Sequence, residues 1–350
     1  MADRRDRSAA STIAPPDPPR LRGVAPRTLV IAAAVAAISL GAAGCGGGNS
    51  ATSASTDSPA PPASEFPSAN GKTLTQILKA SNALRSNLVV SPTAAVYQTG
   101  ENRFGFGVFT VSRQQVTDGK VAIYAAPSGG GKAIGPFPAR IESLAVKPQF
   151  ESQTTATDPD SAKLVYVTNL KFDRDGSWDL VAMFHGSNGY SASLIPTIKV
   201  GGSRDIPAVG QRPPRIHTPT VADVGGDVGQ IDTRSPHDDM HKVDFADVLG
   251  KKPIVLIYAT PALCQSRVCG PVVDVADQVE HETGGDVAFI HMEVYNNNNA
   301  SDGLRPQMRE FGLQTEPWVF VIDRQGIVRT RIQGAFDAAE LEQAVRQVAG

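Results

Sequence analysis

The chain has 350 residues, 41% hydrophobic and 19% charged, with 33 Gly, 26 Pro, three Cys and a formal net charge of −2; at roughly 150 residues per domain this accommodates about two folded domains. A charge so close to zero argues against nucleic acid as a partner, because phosphate binding needs a basic face. One apolar run, near the N-terminus, excludes a multi-span membrane protein, and three cysteines are too few for a disulfide-built miniature scaffold.

Residues 1–27 carry Arg4, Arg5, Arg7, Arg20, Arg22 and Arg27 among prolines that oppose a stable helix. The apolar stretch 29–40 that follows has signal-peptide length and falls short of the roughly 20 residues needed to span a bilayer. It ends in Leu40-Gly41-Ala42-Ala43-Gly44-Cys45. Small residues directly before a cysteine resemble the lipobox of bacterial lipoproteins. That resemblance implies a signal peptide over 1–44, lipidation of Cys45, and anchoring at the outer face of the bacterial cytoplasmic membrane. The alternative is an ordinary secretory signal with an incidental cysteine. Residues 45–70 are dominated by Gly, Ser, Thr, Ala and Pro. Such a segment cannot bury enough apolar surface to offset its ordering entropy, so a flexible tether is predicted.

A folded region, 71–203, comes next. Leu74, Ile77, Leu78 and Leu84 recur at helical spacing and predict a short opening helix. Strand patterns then cover 87–90, 104–111, 120–126, 140–146, 163–170, 177–184 and 191–200, punctuated by turn residues such as Asp118-Gly119. About seven short strands in succession predict an antiparallel all-β sandwich. Residues 175–180 (Asp-Gly-Ser-Trp-Asp-Leu) resemble a late strand of immunoglobulin-like modules in bacterial envelope proteins. This region has no cysteine and one histidine, His185, and its expected job is spacing or partner contact.

The last region, 204–350, opens with a Pro- and Gly-rich stretch to residue 219, predicted as a linker. The pattern then changes to an α/β alternation. Residues 254–259 are continuously apolar, as for a strand covered on both faces. Cys269-Gly270-Pro271 opens a helix with Val272, Val275, Ala276 and Val279 on one face, closed by Gly284-Gly285. A second buried strand lies at 287–294, a short helix at 304–311, and a hairpin at 318–323 and 327–332. Asp337, with Glu340 three residues on, caps the final helix.

That order, with three local motifs, resembles the thioredoxin fold. Gly250-Lys251-Lys252-Pro253 leads into the first strand, as in the TlpA-like and peroxiredoxin branches. Residues 260–271 (Thr-Pro-Ala-Leu-Cys-Gln-Ser-Arg-Val-Cys-Gly-Pro) occupy the redox loop, and Glu316-Pro317-Trp318 matches the cis-proline segment. The resemblance implies thiol–disulfide exchange on envelope proteins through Cys264 and Cys269, with Glu316 and Pro317 facing the pair and contacting substrate. Neither a cofactor nor a resident metal is expected.

With Cys45 assigned to lipid, Cys264 and Cys269 are the cysteines left to form an intramolecular disulfide, in a compartment that permits oxidation. Cysteines five apart on a helix differ by about 140° and cannot bond. A disulfide therefore requires an irregular loop over 264–268 and a helix that begins near Cys269. That position, with Arg267 close in sequence, favours Cys269 as the attacking thiolate. Glu316 beside the pair would raise thiol pKa and blunt reactivity.

Three alternatives stay open. The disulfide can be a structural staple in a non-catalytic binding lipoprotein. The Thr-Pro…Cys…Cys arrangement also resembles Sco-type copper-delivery proteins, although no histidine follows His291. A peroxidase reading would need Arg329 or Arg331 beside the thiol. His237 and His241 are spaced to share a metal if helical, whereas His281 is expected on a helix surface and His291 as a satisfied strand residue.

Overall fold

The computed structural model describes residues 57–202 and 205–349. The expected signal peptide, Cys45 and the first part of the expected tether lie outside the described residues. From residue 57 the chain is already packed, so the tether does not extend to residue 70. Ser58 and Ile141 exchange backbone hydrogen bonds of 2.9 Å, and Phe66 and Ala69 are buried with Tyr124 and Met183. One aromatic side chain supplies apolar surface that the segment's average composition hides.

Helix α1 (Leu74–Ala80) begins at Thr73, whose hydroxyl accepts from the Gln76 N–H while the Gln76 side chain accepts from the Thr73 N–H, a reciprocal cap. Asn82, at φ 50°, turns the chain out of the helix. Leu84, expected on the helical stripe, therefore lies in strand β1 (Leu84–Arg85) and is exposed. The sandwich continues through β2 (Val89–Pro92), β3 (Gly100–Phe109), β4 (Val121–Pro127), β5 (Ile134–Pro138), β6 (Arg140–Ser143), the helical turn α2 (Gln153–Ala156), β7 (Leu164–Phe172), β8 (Gly176–Gly186) and β9 (Gly189–Val200). Two sheets result, ordered β1-β9-β8-β4-β5 and β2-β3-β7-β6. Period-two alternation aims Phe104, Phe106 and Val108 of one sheet at Val121, Ile123, Trp178 and Leu180 of the other. β1 and β5 were not among the predicted strands. Pro136 and Pro138 masked β5, and proline is tolerated there because the strand lies at a sheet edge.

The α/β part comprises α3 (Phe245–Val248), β10 (Ile254–Tyr258), α4 (Cys269–Thr283), β11 (Ala288–Met292), α5 (Pro306–Glu310), β12 (Trp318–Ile322), β13 (Val328–Gln333) and α6 (Ala338–Arg346). Its sheet runs β11-β10-β12-β13, with β10 parallel to β11 and antiparallel to β12. Every residue of β10, β11 and β12 is buried, as the continuous apolar runs predict. Asp337 caps α6 by accepting from the Glu340 N–H at 2.7 Å. The stretch predicted as a linker is irregular but anchored: Ile206 and Ile216 are buried in the core under β10, and Gly210 and Gln211 hydrogen-bond Val328.

The two parts share apolar core. On β7, Leu164, Tyr166 and Leu170 face the sandwich interior, while Val165 and Val167 join Val272, Val275 and Leu341 of the α/β part. The described residues, from 57 on, belong to one compact unit. Among the described residues no helix is long and apolar enough to cross a membrane. A buried ion network crosses the same seam. Arg103 on β3 donates to Glu142 of β6 at 2.8 Å and to Glu340 of α6 at 2.7 Å. Burial pushes the Glu142 carboxyl up to about 7 although Arg103 pulls it down, and Glu340 adds to the rise.

Arg103→Met removes the counter-charge from Glu340 and leaves Glu142 only the partly exposed Arg140. The expected loss in urea denaturation is about 3–5 kcal/mol near pH 8, and less near pH 5, where a protonated carboxyl needs no partner. Equal losses at both pH values would contradict the ion-network account.

Candidate functional site

Cys264 and Cys269 are joined in a disulfide, with Cα atoms 5.9 Å apart. The geometry is the one their spacing requires: 264–268 is an irregular turn and α4 begins at Cys269. Pro271 fits that first turn because its missing N–H would have no intrahelical acceptor. Arg267 adopts the left-handed region, φ 61°, which a non-glycine residue holds where neighbours fix it. Its carbonyl accepts from the Ala162 N–H at 3.0 Å and its guanidinium pairs with Asp158 at 2.9 Å. The cation expected to activate a thiol is thus engaged by an acidic partner from the segment between α2 and β7.

That segment is a cover. Ser152 caps α2 and donates to Asp274 of α4 through its backbone N–H at 3.2 Å and its hydroxyl at 3.1 Å. Arg234 completes the anchorage, donating to Asp274 at 2.9 Å and Asp277 at 3.0 Å. Gly270 lies directly beneath: a Cβ there would meet the Thr155 hydroxyl at 2.8 Å. The motif therefore needs glycine at this position because of a contact made by a residue far earlier in the chain. Cys269, expected from its helix position to be the attacking thiol, has no exposed surface, whereas Cys264 keeps 8%. An open cleft of about 450 Å³ reaches Cys264, lined by Thr155, Asp158, Pro261, Arg267 and Pro271. A reagent arriving from solvent meets Cys264 first.

The peptide bond Glu316-Pro317 is cis. Pro317 is buried, and its carbonyl accepts from the Gly334 N–H at 2.9 Å. Glu316 is half-buried, with Oε2 3.5 Å from Cys269 Sγ. In the disulfide neither sulfur carries a proton, so a hydrogen on this contact belongs to Glu316. Burial pushes the Glu316 carboxyl up to about 8, and the charge of Glu293 raises it further against the Thr260 N–H. Glu316 is therefore a neutral acid beside the disulfide at pH 7, and its sequence reading as a repelling carboxylate applies only at higher pH.

The structure brings Cys264, Cys269, Glu316 and Pro317 together and leaves other candidates elsewhere. Beside the sulfurs the third metal-capable group is the Glu316 carboxylate, a poor match for copper(I), which prefers soft donors or imidazole. Arg329 pairs with Asp323 at 2.6 Å, and Arg331 lies over the Trp318 ring at 5.7 Å. His281 is partly exposed on α4, its Nδ1 2.8 Å from the Asp277 carbonyl. His291 is a satisfied strand residue: its Nε2–H donates to the Ala259 carbonyl at 3.1 Å and Nδ1 faces Asp238 at 2.8 Å. The segment around His237 and His241 is not helical; His237 is largely exposed and His241 is buried beside His291. Sequence reasoning missed this pairing of histidines and the cover over Cys269. The uninterrupted apolar run Leu164-Val165-Tyr166-Val167 signalled a strand buried on both faces.

No protein-family model and no curated protein matches the chain. Among solved structures, a Chlorobium tepidum protein assigned as thiol:disulfide interchange protein DsbE aligns at 16% identity over 41% of this chain and 99% of its own, TM-score 0.29. A thioredoxin-family thiol:disulfide interchange protein from Chlorobium tepidum TLS aligns at 19% identity over 41% and 99%, TM-score 0.30. The Lin-41 filamin domain aligns at 9% identity over 34% and 96%, TM-score 0.18.

The raised Glu316 carboxyl has a sign. Between its ordinary value and about 8 the folded state holds a proton that the unfolded state has released, so stability falls as pH rises through that window. Glu316→Gln, a permanently neutral isostere, is expected to match the wild type near pH 5 and to be more stable by about 2–4 kcal/mol near pH 9. Parallel denaturation curves at the two pH values check this, and an unchanged difference would show that Glu316 ionises normally.

Proposed function

We propose that this chain is a membrane-anchored, extracytoplasmic thiol–disulfide oxidoreductase that exchanges electrons with the thiols or disulfides of envelope proteins. The observation that carries the reading is the disulfide at the head of α4 with the neutral acid Glu316 3.5 Å from the buried sulfur. The anchor follows from the lipobox resemblance at Cys45, and the activity from the thioredoxin resemblance of region 204–350. The sandwich, 71–203, acts as spacer and cover.

The chemistry balances without another reagent. A substrate thiolate attacks Cys264 Sγ, the sulfur reached by the cleft. A mixed disulfide forms, and Cys269 leaves as thiolate and takes the Glu316 proton. A second substrate thiolate then attacks the substrate sulfur of that mixed disulfide and expels Cys264 as a thiolate, which takes a proton from solvent through the cleft, as Glu316 regains its own. The substrate dithiol is oxidised to a disulfide and the pair is reduced to two thiols; the reverse sequence reduces a substrate. Glu316 here works as a general acid in one direction and a base in the other.

One observation favours a second reading, a non-catalytic binding lipoprotein with a structural disulfide: Cys269 is completely covered. Cysteine trapping separates the two. Under exchange, Cys269→Ser leaves Cys264 free to collect envelope proteins as mixed disulfides that it cannot resolve, while Cys264→Ser collects few. If neither variant accumulates adducts on non-reducing gels, the oxidoreductase reading fails and the binding module stands.

A further inference from the structure

Behind the redox loop lies a second cluster that this mechanism does not use. Asp232, Asp238, His241 and His291 each place one donor atom within 4.8 Å of the others, and all four are buried, at 1%, 7%, 1% and 1% exposure. The chain from residue 232 to 241 is held along β11, where the His291 N–H donates to the Met240 carbonyl at 3.0 Å. This brings donors from an irregular loop against one from a strand.

Three features distinguish the cluster from an ordinary buried salt-bridge network. First, neither ring nitrogen of His241 has a hydrogen-bond partner, an expensive omission for a buried imidazole. His241 Nε2 points between the two carboxylates, 3.5 Å from Asp238 Oδ1 and 3.7 Å from Asp232 Oδ2, too far for good hydrogen bonds. His291 Nδ1 lies 3.8 Å from Asp232. A four-coordinate ion with bonds of about 2.0–2.1 Å holds neighbouring donors about 3.3 Å apart, so an ion at the centre needs only small inward movements.

Second, the charges are incomplete. The side chain of Arg234, the neighbouring fixed cation, is committed to Asp274 and Asp277. Asp238 has His291 Nδ1 at 2.8 Å, whereas Asp232 has imidazoles alone, none nearer than His237 at 3.5 Å, and Glu293, also buried, has Oε2 without a partner.

Third, an outer layer already orients the donors. The His291 Nε2–H is fixed by the Ala259 carbonyl, which leaves Nδ1 as the inward atom. Asp232 accepts from the N–H groups of Arg234 and Asp238, at 2.7 and 2.9 Å, and Asp238 accepts from the Met240 N–H at 2.9 Å. Metal-binding imidazoles and carboxylates are held in this manner.

We infer that Asp232, Asp238, His241 and His291 form a structural binding site for a zinc-class divalent cation. Two nitrogen and two oxygen donors in a closed setting suit a four-coordinate first-row ion. Magnesium and calcium ask for six or more oxygens, and copper(I) for softer donors. The ion would tie the 232–241 loop to β11 and to Ala259, immediately before the redox loop.

The test uses the full-length protein, unfolded with a chelator, freed of it, and refolded with zinc(II) or cobalt(II) alone. After gel filtration it should retain about one equivalent of either metal. The cobalt form should show the visible bands of a tetrahedral ion without sulfur-to-metal charge transfer. A double variant, Cys264→Ser with Cys269→Ser, should retain the metal, and His241→Ala should lose at least about nine-tenths of it. Failure of the wild type to retain either metal overturns the site, as does loss in the double cysteine variant or full retention in His241→Ala. Should His241→Ala not fold, the wild-type stoichiometry and the double cysteine variant decide. None of these readouts depends on redox activity, so the site and the proposed function fail separately.

Discussion

The rest of the structure depends on a strand buried on both faces. β7 gives Leu164, Tyr166 and Leu170 to the sandwich core and Val165 and Val167 to the core under α4 and α6. Full burial of one Val or Leu side chain contributes about 1.5–3 kcal/mol, and here successive residues serve opposite cores. The sandwich therefore cannot move away from the α/β sheet without exposing apolar surface at the seam. This fixes the segment leading into β7, which carries Thr155, Asp158 and Ala162 to the redox loop. The Arg103 network repeats the same bond between the halves in charged groups.

From that seam follows the chemistry of the pair. A helix N-terminus ordinarily makes a cysteine more acidic, and Cys269 occupies one. Yet Thr155 lies over Gly270, Asp158 takes up Arg267, and the cover leaves only Cys264 reachable. Reactivity is thereby divided between two sulfurs. One reaches the surface cleft; the other sits out of solvent beside a carboxyl that burial keeps protonated. A carboxylate in water at that distance would repel a thiolate, whereas a buried neutral acid can hand it a proton. The same low-dielectric surroundings change Glu316 from an obstacle into a proton store.

Much of the local architecture was legible in the sequence because its signals are short-range. Pro271 in a first turn, the five-residue spacing of the cysteines, Asp337 with Glu340, and the apolar run at 254–259 each encode their structure within a few residues. What escaped depends on contacts between distant positions. Ser152 and Asp274 are 122 residues apart, and nothing near Cys269 tells that a sandwich loop will cover it. Composition misled at 57–70, where Phe66 outweighs its polar neighbours, and at 204–219, where Ile206 and Ile216 anchor a Pro-rich stretch. Periodicity misled at His237 and His241, whose spacing suits a helix that the chain does not form. His241 instead finds His291, on a strand fifty residues later.

The central claim is that the Cys264–Cys269 bond is made and broken in function. Its reduction potential in the full-length protein, from glutathione titration with mass readout of bonded and free forms, tests this most directly. Exchange predicts a value of roughly −270 to −120 mV, in the span from thioredoxin to strong disulfide oxidants. A value below about −300 mV, where structural disulfides lie, would contradict the account and mark the bond as a staple.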